Sequence, residues 1–311
     1  MSNCPMSNDQ GHGPSSIEGH HNPTVRLLHE RSSVRSFFAD RPVPREVVDD
    51  VLLAGIHAPS GGNLQPFSII KITSPQAARD LADMCKQDFI GQAPVNLLFC
   101  LDFHRLQRWA ELEVAPFSAT ASFRHFWIGF QDTIIAAQNI CTAADALGLG
   151  SVYIGTIVDY MLQASERFGL PKGVLPVVLL CLGYPKHRPQ PRRKLPLTAI
   201  VHEEMYRELP DQELLESFEQ KYPGRSDPET RTAATAERLD EIIETCREVH
   251  GVAFAQKCRE RIAREGYIRE AHRYFGLHYR ANVMPRANER LLRAVKELGF
   301  TWFEPWQPYR D

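Results

Sequence analysis

The segment from Arg31 to Phe37, RSSVRSF, brings two guanidinium groups and several hydroxyls into one polar turn. Arginine presents paired N–H donors that suit a phosphate, and Ser33 adds a hydroxyl donor between the two cations. Arg31, Ser33 and Arg35 are therefore candidate phosphate ligands. Taken alone, the same segment is also typical of a solvated helix end.

A second polar segment, Ala58 to Phe67, has the sequence APSGGNLQPF. Its adjacent glycines let the backbone approach a flat ligand closely, and Asn63 and Gln65 add amide donors and acceptors. Loops of this composition are common, so the segment alone does not identify a site.

A third region joins a glycine-bounded turn to a basic loop. Residues 148–156 are GLGSVYIGT and residues 191–196 are PRRKLP, and apolar runs flank both. The loop carries Arg192, Arg193 and Lys194, and Arg188 lies shortly before it. A basic loop by itself is usually solvated, but the three regions together predict a site for a planar, anionic ligand.

The chain offers no obvious nucleophile beside a base and no metal-ligand spacing. Cys4, His12, His20 and His21 all fall within the first 23 residues, which are rich in Gly, Ser, Pro and Asn. Because that stretch has too few apolar residues to pack, we interpret 1–23 as a flexible tail rather than a metal site.

Apolar patterns predict the elements that must position these residues. The runs FSIIKIT, APVNLLFCLDF and LPVVLLCLGYP predict strands, and SVYIGTI is a loop or the start of a strand. Residues 44–58 and 75–87 have helical patterns, and the run from Ile128 to Gly150 predicts a long helix that is apolar on nearly all sides. This pattern indicates an α+β sandwich with helices around a central sheet. The order of elements alone does not settle whether the strands are parallel.

Composition excludes several classes of partner. The formal net charge of -2 provides no overall field that would favour nucleic acid or a membrane surface. The N-terminus lacks the pattern of a secretory signal, and no apolar run approaches the ~20 residues of a membrane helix. The seven cysteines are scattered and form no CxxC pair, so we expect free thiols in a reducing compartment and a cytoplasmic protein.

The motifs together resemble the nitroreductase superfamily, and they are most like the major oxygen-insensitive NADPH type and its flavin reductase relatives. The resemblance covers about residues 24–207. Its most specific part is AAQNICTAADALGLGSVYIGT, followed by LPVVLLCLGYP and RRKLP. It implies an intertwined homodimer with a mostly antiparallel central sheet, in which 24–207 form the FMN-binding domain and 208–311 a mainly helical extension.

The resemblance also implies an FMN site built from both subunits. Arg31, Ser33 and Arg35 would contact the phosphate and ribityl chain, and Arg192 and Lys194 the phosphate or the pyrimidine end. The residues implied to lie beside the ring are Ser60, Gly61, Asn63, Gln87, Tyr153, Gly155 and Thr156. Two positions depart from the family pattern, because Ser32 stands where a basic residue is frequent and Thr156 replaces a second glycine.

The implied activity is reduction of nitroaromatics, quinones or flavins with NAD(P)H, by two-electron ping-pong hydride transfer. Arg225, in YPGRSDP, matches an arginine that binds the 2′-phosphate of NADPH in related reductases, and the basic excess between 257 and 296 is a second candidate. An insertion at about 228–280 either caps the pocket or adds dimer surface. Two alternatives remain: a specialised dehalogenase or small-metabolite dehydrogenase on this fold, and a protein that binds FMN without turnover.

Overall fold

A four-stranded antiparallel sheet forms the centre of the computed structural model, which describes residues 22–307. The strands are β1 (Phe67–Ile72), β2 (Val95–Asp102), β3 (Gly150–Ile154) and β4 (Val174–Gly183), in the order β1-β2-β4-β3. Every residue of β2 and β4 is buried, as expected for strands covered on both faces. The predicted α+β class and antiparallel sheet are therefore confirmed.

Helices cover both faces of this sheet. One face packs on α2 (Arg45–Ile56) and α5 (Phe123–Ala146), and the other packs on α3 (Pro75–Cys85) and α6 (Met161–Phe168). The remaining helices of this region are α1 (Pro23–Glu30) and α4 (His104–Leu112).

The long helix α5 runs through the centre of the protein. It begins five residues before the predicted start at Ile128, because the Ser122 hydroxyl accepts a hydrogen bond from the N–H of His125 and caps the helix there. Gly55 of α2 lies against α5 so closely that a Cβ would sit 2.5 Å from Cδ1 of Ile140. This close approach holds the start of the Ala58–Phe67 loop against the middle of α5.

The segment that follows α1 runs along the free edge of β3. The N–H of Val34 donates to the carbonyl of Ser151 at 2.9 Å, and Ser33 forms an isolated parallel bridge with Ser151. Farther along, Phe38 N–H donates to the carbonyl of Tyr184. The first predicted phosphate-binding segment is therefore held beside the glycine-bounded turn by backbone hydrogen bonds.

The C-terminal part forms a smaller unit with its own apolar core of Ile242, Cys258, Ile262 and Ile268. Its elements are α7 (Asp211–Lys221), β5 (Thr232–Ala233), α8 (Ala236–His250), α9 (Val252–Glu265), β6 (Tyr267–Ile268) and α10 (Glu270–Arg273), and α11 (Asn288–Glu297) follows them.

The end of the described chain packs back onto the main domain. Val295, Leu298 and Phe300 belong to the core cluster that contains α5 and β2. Gly173 N–H donates to the carbonyl of Leu298 at 2.7 Å, just before β4. The last helix of the predicted extension therefore helps to form the main core.

All six cysteines between residues 22 and 307 are free, and five of them are buried. None of the helices in this range is long and apolar enough to cross a membrane. The predicted flexible tail, with Cys4, His12, His20 and His21, lies outside the described residues except for Asn22 and Pro23.

Candidate functional site

Arg31 is fixed at the end of α1 by two distant side chains. Its Nε donates to Oδ2 of Asp145 at 3.0 Å, and a terminal nitrogen donates to Oγ of Ser151 at 3.3 Å. Arg35, on the same edge segment, is exposed and makes no hydrogen bond or ion pair within 22–307. The structure therefore places one of the two predicted arginines in a network and leaves the other facing solvent.

Gln87 and Thr156 meet at the far end of β3. The amide Nε2 of Gln87 donates to Oγ1 of Thr156 at 3.2 Å, although the two come from separate loops. Between them and β3 lies Gly155, where a Cβ would find no atom within 4 Å. The side of the turn at Gly155 is open, as a flat ring approaching the backbone requires.

Tyr153 lies on β3 between the phosphate-binding segment and this turn. Its hydroxyl donates to Oε1 of Gln138 on α5 at 3.4 Å. Burial raises the pKa of Tyr153, so its phenol keeps its proton through the physiological range. The side chain is a hydrogen-bonding neutral group and not a base.

The Ser60–Asn63 loop is held on the other half of α5. The N–H of Gly61 donates to both carboxylate oxygens of Asp132 at 3.1 Å, and a Cβ on Gly61 would lie 2.7 Å from Cγ2 of Ile128. Gly62 and Asn63 take positive φ values of 60° and 55°. The loop is therefore a fixed turn that exposes the side chain of Asn63.

Within one chain the two halves of the predicted site are far apart. The Ser60–Asn63 loop contacts Asp132, whereas Arg31 contacts Asp145, thirteen positions later on the same helix. A rise of 1.5 Å per residue separates these contact points by about 20 Å along α5. The loop is therefore distant from the Arg31 group of its own chain.

The basic loop after β4 contains both cations held by hydrogen bonds and cations that are exposed. Arg188 donates from one terminal nitrogen to Oδ1 of Asp145 at 2.8 Å and from the other to the carbonyl of Leu149 at 2.7 Å. Arg192 and Lys194 are exposed and have no ion pair with any described residue. They are available to an anionic ligand without breaking an existing contact.

Arg225 lies with Arg193 at the rim of a separate cavity of about 350 Å³ that α7 helps to form. Its Nε donates to Oε2 of Glu219 at 3.2 Å, and its backbone N–H donates to the other oxygen of the same carboxylate. The predicted NADPH-phosphate arginine is therefore ion-paired in the described structure.

A second cavity, of about 390 Å³, lies between α4, α5 and the Gly61 loop. Its walls are mostly apolar and include Phe103, Trp109 and Phe117, with the buried carboxylate of Asp132 at one side. Burial raises the pKa of Asp132, and the hydrogen bond from Gly61 opposes that change.

The sequence interpretation missed Asp132, Asp145 and Ser151, and it left Arg188 unassigned. The available signal was an acidic side chain inside an otherwise apolar helix, since a buried carboxylate must find donors. The donors to the two aspartates are 43 to 114 residues away in sequence, so their identity was not readable.

Residues 28–184 match the sequence profile of the nitroreductase family. The oxygen-insensitive NADPH nitroreductase of Salmonella typhimurium is 35% identical over 200 residues, which are 64% of this chain and 80% of that protein. A solved NADPH:FMN oxidoreductase from Vibrio harveyi, complexed with NAD+, is 32% identical with a TM-score of 0.58, over 63% of this chain and 83% of that one.

The structure of B. megaterium NfrA2 aligns with most of the chain. It covers 90% of this chain and 99% of that one, with a TM-score of 0.65 and 26% identity. The resemblance inferred from the motifs is confirmed, and this chain belongs to the nitroreductase family.

Proposed function

We propose that the protein is an enzyme, an FMN-dependent oxidoreductase that uses NAD(P)H to reduce nitroaromatics, quinones or flavins. The observation that carries this proposal is the arrangement along β3. The Arg31 and Ser33 segment contacts Ser151 at one end, and the Gln87–Thr156 pair stands beside open Gly155 at the other. Four strand residues separate these ends by about 13 Å, which suits a ligand with a phosphate at one end and a ring at the other.

The residues at this site fit FMN. Arg35, Arg192 and Lys194 are cations without partners among the described residues, and the backbone at Gly155 is uncovered. Names of similar proteins support the choice of cofactor, since they include an NADPH-flavin oxidoreductase and an FMN reductase. FMN, when bound, supplies the chemistry by carrying two electrons from NAD(P)H to the acceptor.

The chain's own residues bind the cofactor and orient it. Arg31, Ser33 and Arg35 hold the phosphate and ribityl chain, and Tyr153, Gly155 and Thr156 line the ring edge. Thr156 accepts from Gln87 and can still donate its own O–H. Arg192 and Lys194 stabilise negative charge at the phosphate or the pyrimidine end, as preorganised cations do without reorganising during the reaction.

We also propose that the site is completed by a second copy of the chain in a homodimer. Several apolar side chains on α2 and α5 are exposed, namely Leu53, Ile56, Phe123, Trp127, Phe130 and Ile135. A partner on this face would bring its Ser60, Gly61 and Asn63 to the ring site.

We propose separate roles for the two parts of the chain. Residues 24–207 bind FMN, and the helical 208–311 region contributes Arg225 to NADPH recognition, where Arg193 lies in the same cavity. Phosphate binding there requires Arg225 to exchange Glu219 for the ligand. The free cysteines support a reducing, cytoplasmic location.

The test is steady-state oxidation of NADPH and NADH by the FMN-loaded protein, with nitrofurazone or a benzoquinone as acceptor. We expect turnover with either acceptor and a lower KM for NADPH than for NADH. If the protein retains FMN but shows no turnover with either acceptor, it binds flavin and lacks this activity.

A further inference from the structure

Asp145, near the C-terminal end of α5, binds two arginines with one carboxylate. Its Oδ2 accepts from Nε of Arg31 at 3.0 Å, and its Oδ1 accepts from a terminal nitrogen of Arg188 at 2.8 Å. The carboxylate is 1% exposed, whereas the side chains of Arg31 and Arg188 are 23% and 34% exposed. The acid is therefore buried beneath two cations that reach the surface.

Each arginine is held by a second acceptor as well. Arg31 donates to the hydroxyl of Ser151, and Arg188 donates to the backbone carbonyl of Leu149. Two contacts in different directions fix the plane of each guanidinium. Because a guanidinium carries five N–H groups, about three remain on each side chain for a further ligand.

The charges of this group do not balance internally. Two guanidiniums share one carboxylate, so one positive charge is left over near the surface. The position of Asp145 in the last turn of α5 opposes the helix dipole, which disfavours an anion there. Helix stability does not explain an acid at this position, whereas the contacts of Asp145 with two arginines do.

The location ties this group to the cofactor site. Arg31 lies two residues before Ser33, which bridges to Ser151, and Arg188 comes from the loop that also carries Arg192 and Lys194. The two segments that supply the predicted phosphate ligands are thus joined through one buried carboxylate.

We propose that Asp145 is a positioning residue that holds Arg31 and Arg188 together as a site for a terminal phosphate monoester, with Arg188 as a direct ligand. The inference rests on the proposed function, in which this phosphate is that of FMN. Arg188 thereby becomes a determinant of the preference for FMN over riboflavin.

Electrostatics and positioning predict opposite effects when Asp145 is neutralised. If the carboxylate acts only through its charge, Asp145→Asn removes an anion near the phosphate and tightens FMN binding. If it positions the arginines, the variant places an amide N–H against a guanidinium and FMN binding weakens. The sign of the change separates the two roles.

The experiment measures dissociation constants of FMN and riboflavin for the apoprotein by flavin fluorescence. For Arg188→Gln we expect FMN affinity to fall about ten- to a hundredfold, as for loss of charged hydrogen bonds, with less than about a twofold change for riboflavin. Arg188→Lys keeps the charge but lacks the paired, planar N–H donors of a guanidinium, so we expect an intermediate loss of FMN affinity. Asp145→Asn should weaken FMN and spare riboflavin.

The matched control is Asp80→Asn on α3. This change removes the carboxylate that pairs with Nε of Arg167 at 2.8 Å, and neither residue contacts Arg31, Asp145 or Arg188. It should change neither constant. Thermal unfolding of each variant monitors folding, and if Asp145→Asn does not fold, the Arg188 variants alone decide the proposal, because Arg188 lies on a partly exposed loop.

Several results would overturn the inference. Equal losses for FMN and riboflavin in Arg188→Gln would make the role structural, and tighter FMN binding in Asp145→Asn would contradict positioning. A rise in KM for NADPH but not NADH, with FMN affinity unchanged, would reassign the site to the nucleotide phosphate. Wild-type protein that binds both flavins equally would refute the phosphate site alone, whereas binding neither flavin would refute the proposed function itself.

Discussion

Gln87 and Thr156 lie 69 residues apart in sequence, yet the amide of Gln87 donates to the hydroxyl of Thr156 at 3.2 Å. Lys86 takes a left-handed conformation at the end of α3 and turns the chain so that Gln87 faces the end of β3. The family resemblance implies a glycine at position 156, whereas Thr156 here supplies a hydroxyl that accepts from the amide beside the proposed ring site.

The first prediction concerns this hydroxyl. Thr156→Val keeps the volume but removes the nearer of the two acceptors of the Gln87 amide and leaves only the Cys85 carbonyl at 3.5 Å, so we expect FMN affinity to fall about three- to tenfold. Thr156→Ser retains the hydroxyl and should bind FMN like the wild type. Fluorescence titration measures both, and equal affinities for Val and Ser variants would show that the hydrogen bond has no part in binding.

The second prediction contrasts two glycines. Gly155→Ala adds a methyl group into open space, so stability should be unchanged or higher by up to about 1 kcal/mol while FMN affinity falls, because the methyl occupies the ring site. Gly61→Ala places a Cβ 2.7 Å from the stiff side chain of Ile128 and should destabilise the fold by about 1–3 kcal/mol.

Chemical denaturation and FMN titration of these two variants measure stability and binding separately. A loss of stability in Gly155→Ala without a loss of FMN binding would contradict the assignment of this turn to the ring.

The third prediction concerns pH. Burial raises the pKa of Asp132 in the folded state above its unfolded value of 3.8, so the native chain binds the extra proton more tightly. The stability from this group is complete below pH 3.8 and is lost as pH rises through the folded pKa. Asp132→Asn cannot titrate and retains an oxygen for Gly61, so its stability relative to the wild type should improve between pH 4 and pH 8.

Denaturant unfolding at these two pH values gives the comparison. A difference between wild type and variant that is independent of pH would mean that Asp132 does not titrate with a raised pKa.

Some of this arrangement was predictable from the sequence. The apolar runs predicted β1, β2 and β4, because a strand buried on both faces leaves a continuous apolar signature. β3 has only five residues and could not be distinguished from a loop. The antiparallel order came from the family resemblance, since apolar periodicity does not record which strands pair.

The site was predictable to the level of segments but not of contacts. Arg31 stood out by residue type and Thr156 came from the family resemblance, whereas the 114-residue separation of Arg31 from Asp145 hides their ion pair. Likewise, Arg192 and Arg188 look equivalent in the basic loop. Only the fold shows that Arg188 is fixed by two acceptors while Arg192 is exposed.

The fourth prediction concerns the dimer. Trp127 on α5 is 54% exposed, and we expect Trp127→Glu to place a charge in the subunit interface, which yields a monomer that loses FMN. Trp306→Glu is the control, since Trp306 is 63% exposed and lies on neither α2 nor α5. Light scattering after gel filtration measures the mass, and a Trp127→Glu dimer that still retains FMN would place the interface elsewhere.

The most direct test of the central claim is an anaerobic titration of the purified protein, followed by its visible flavin absorbance. We expect the protein to be yellow, or to become yellow when FMN is added. One equivalent of NADPH per flavin should bleach the colour, and a benzoquinone should restore it. A protein that takes up no FMN, or whose bound FMN is not bleached by either NADPH or NADH, would contradict the claim.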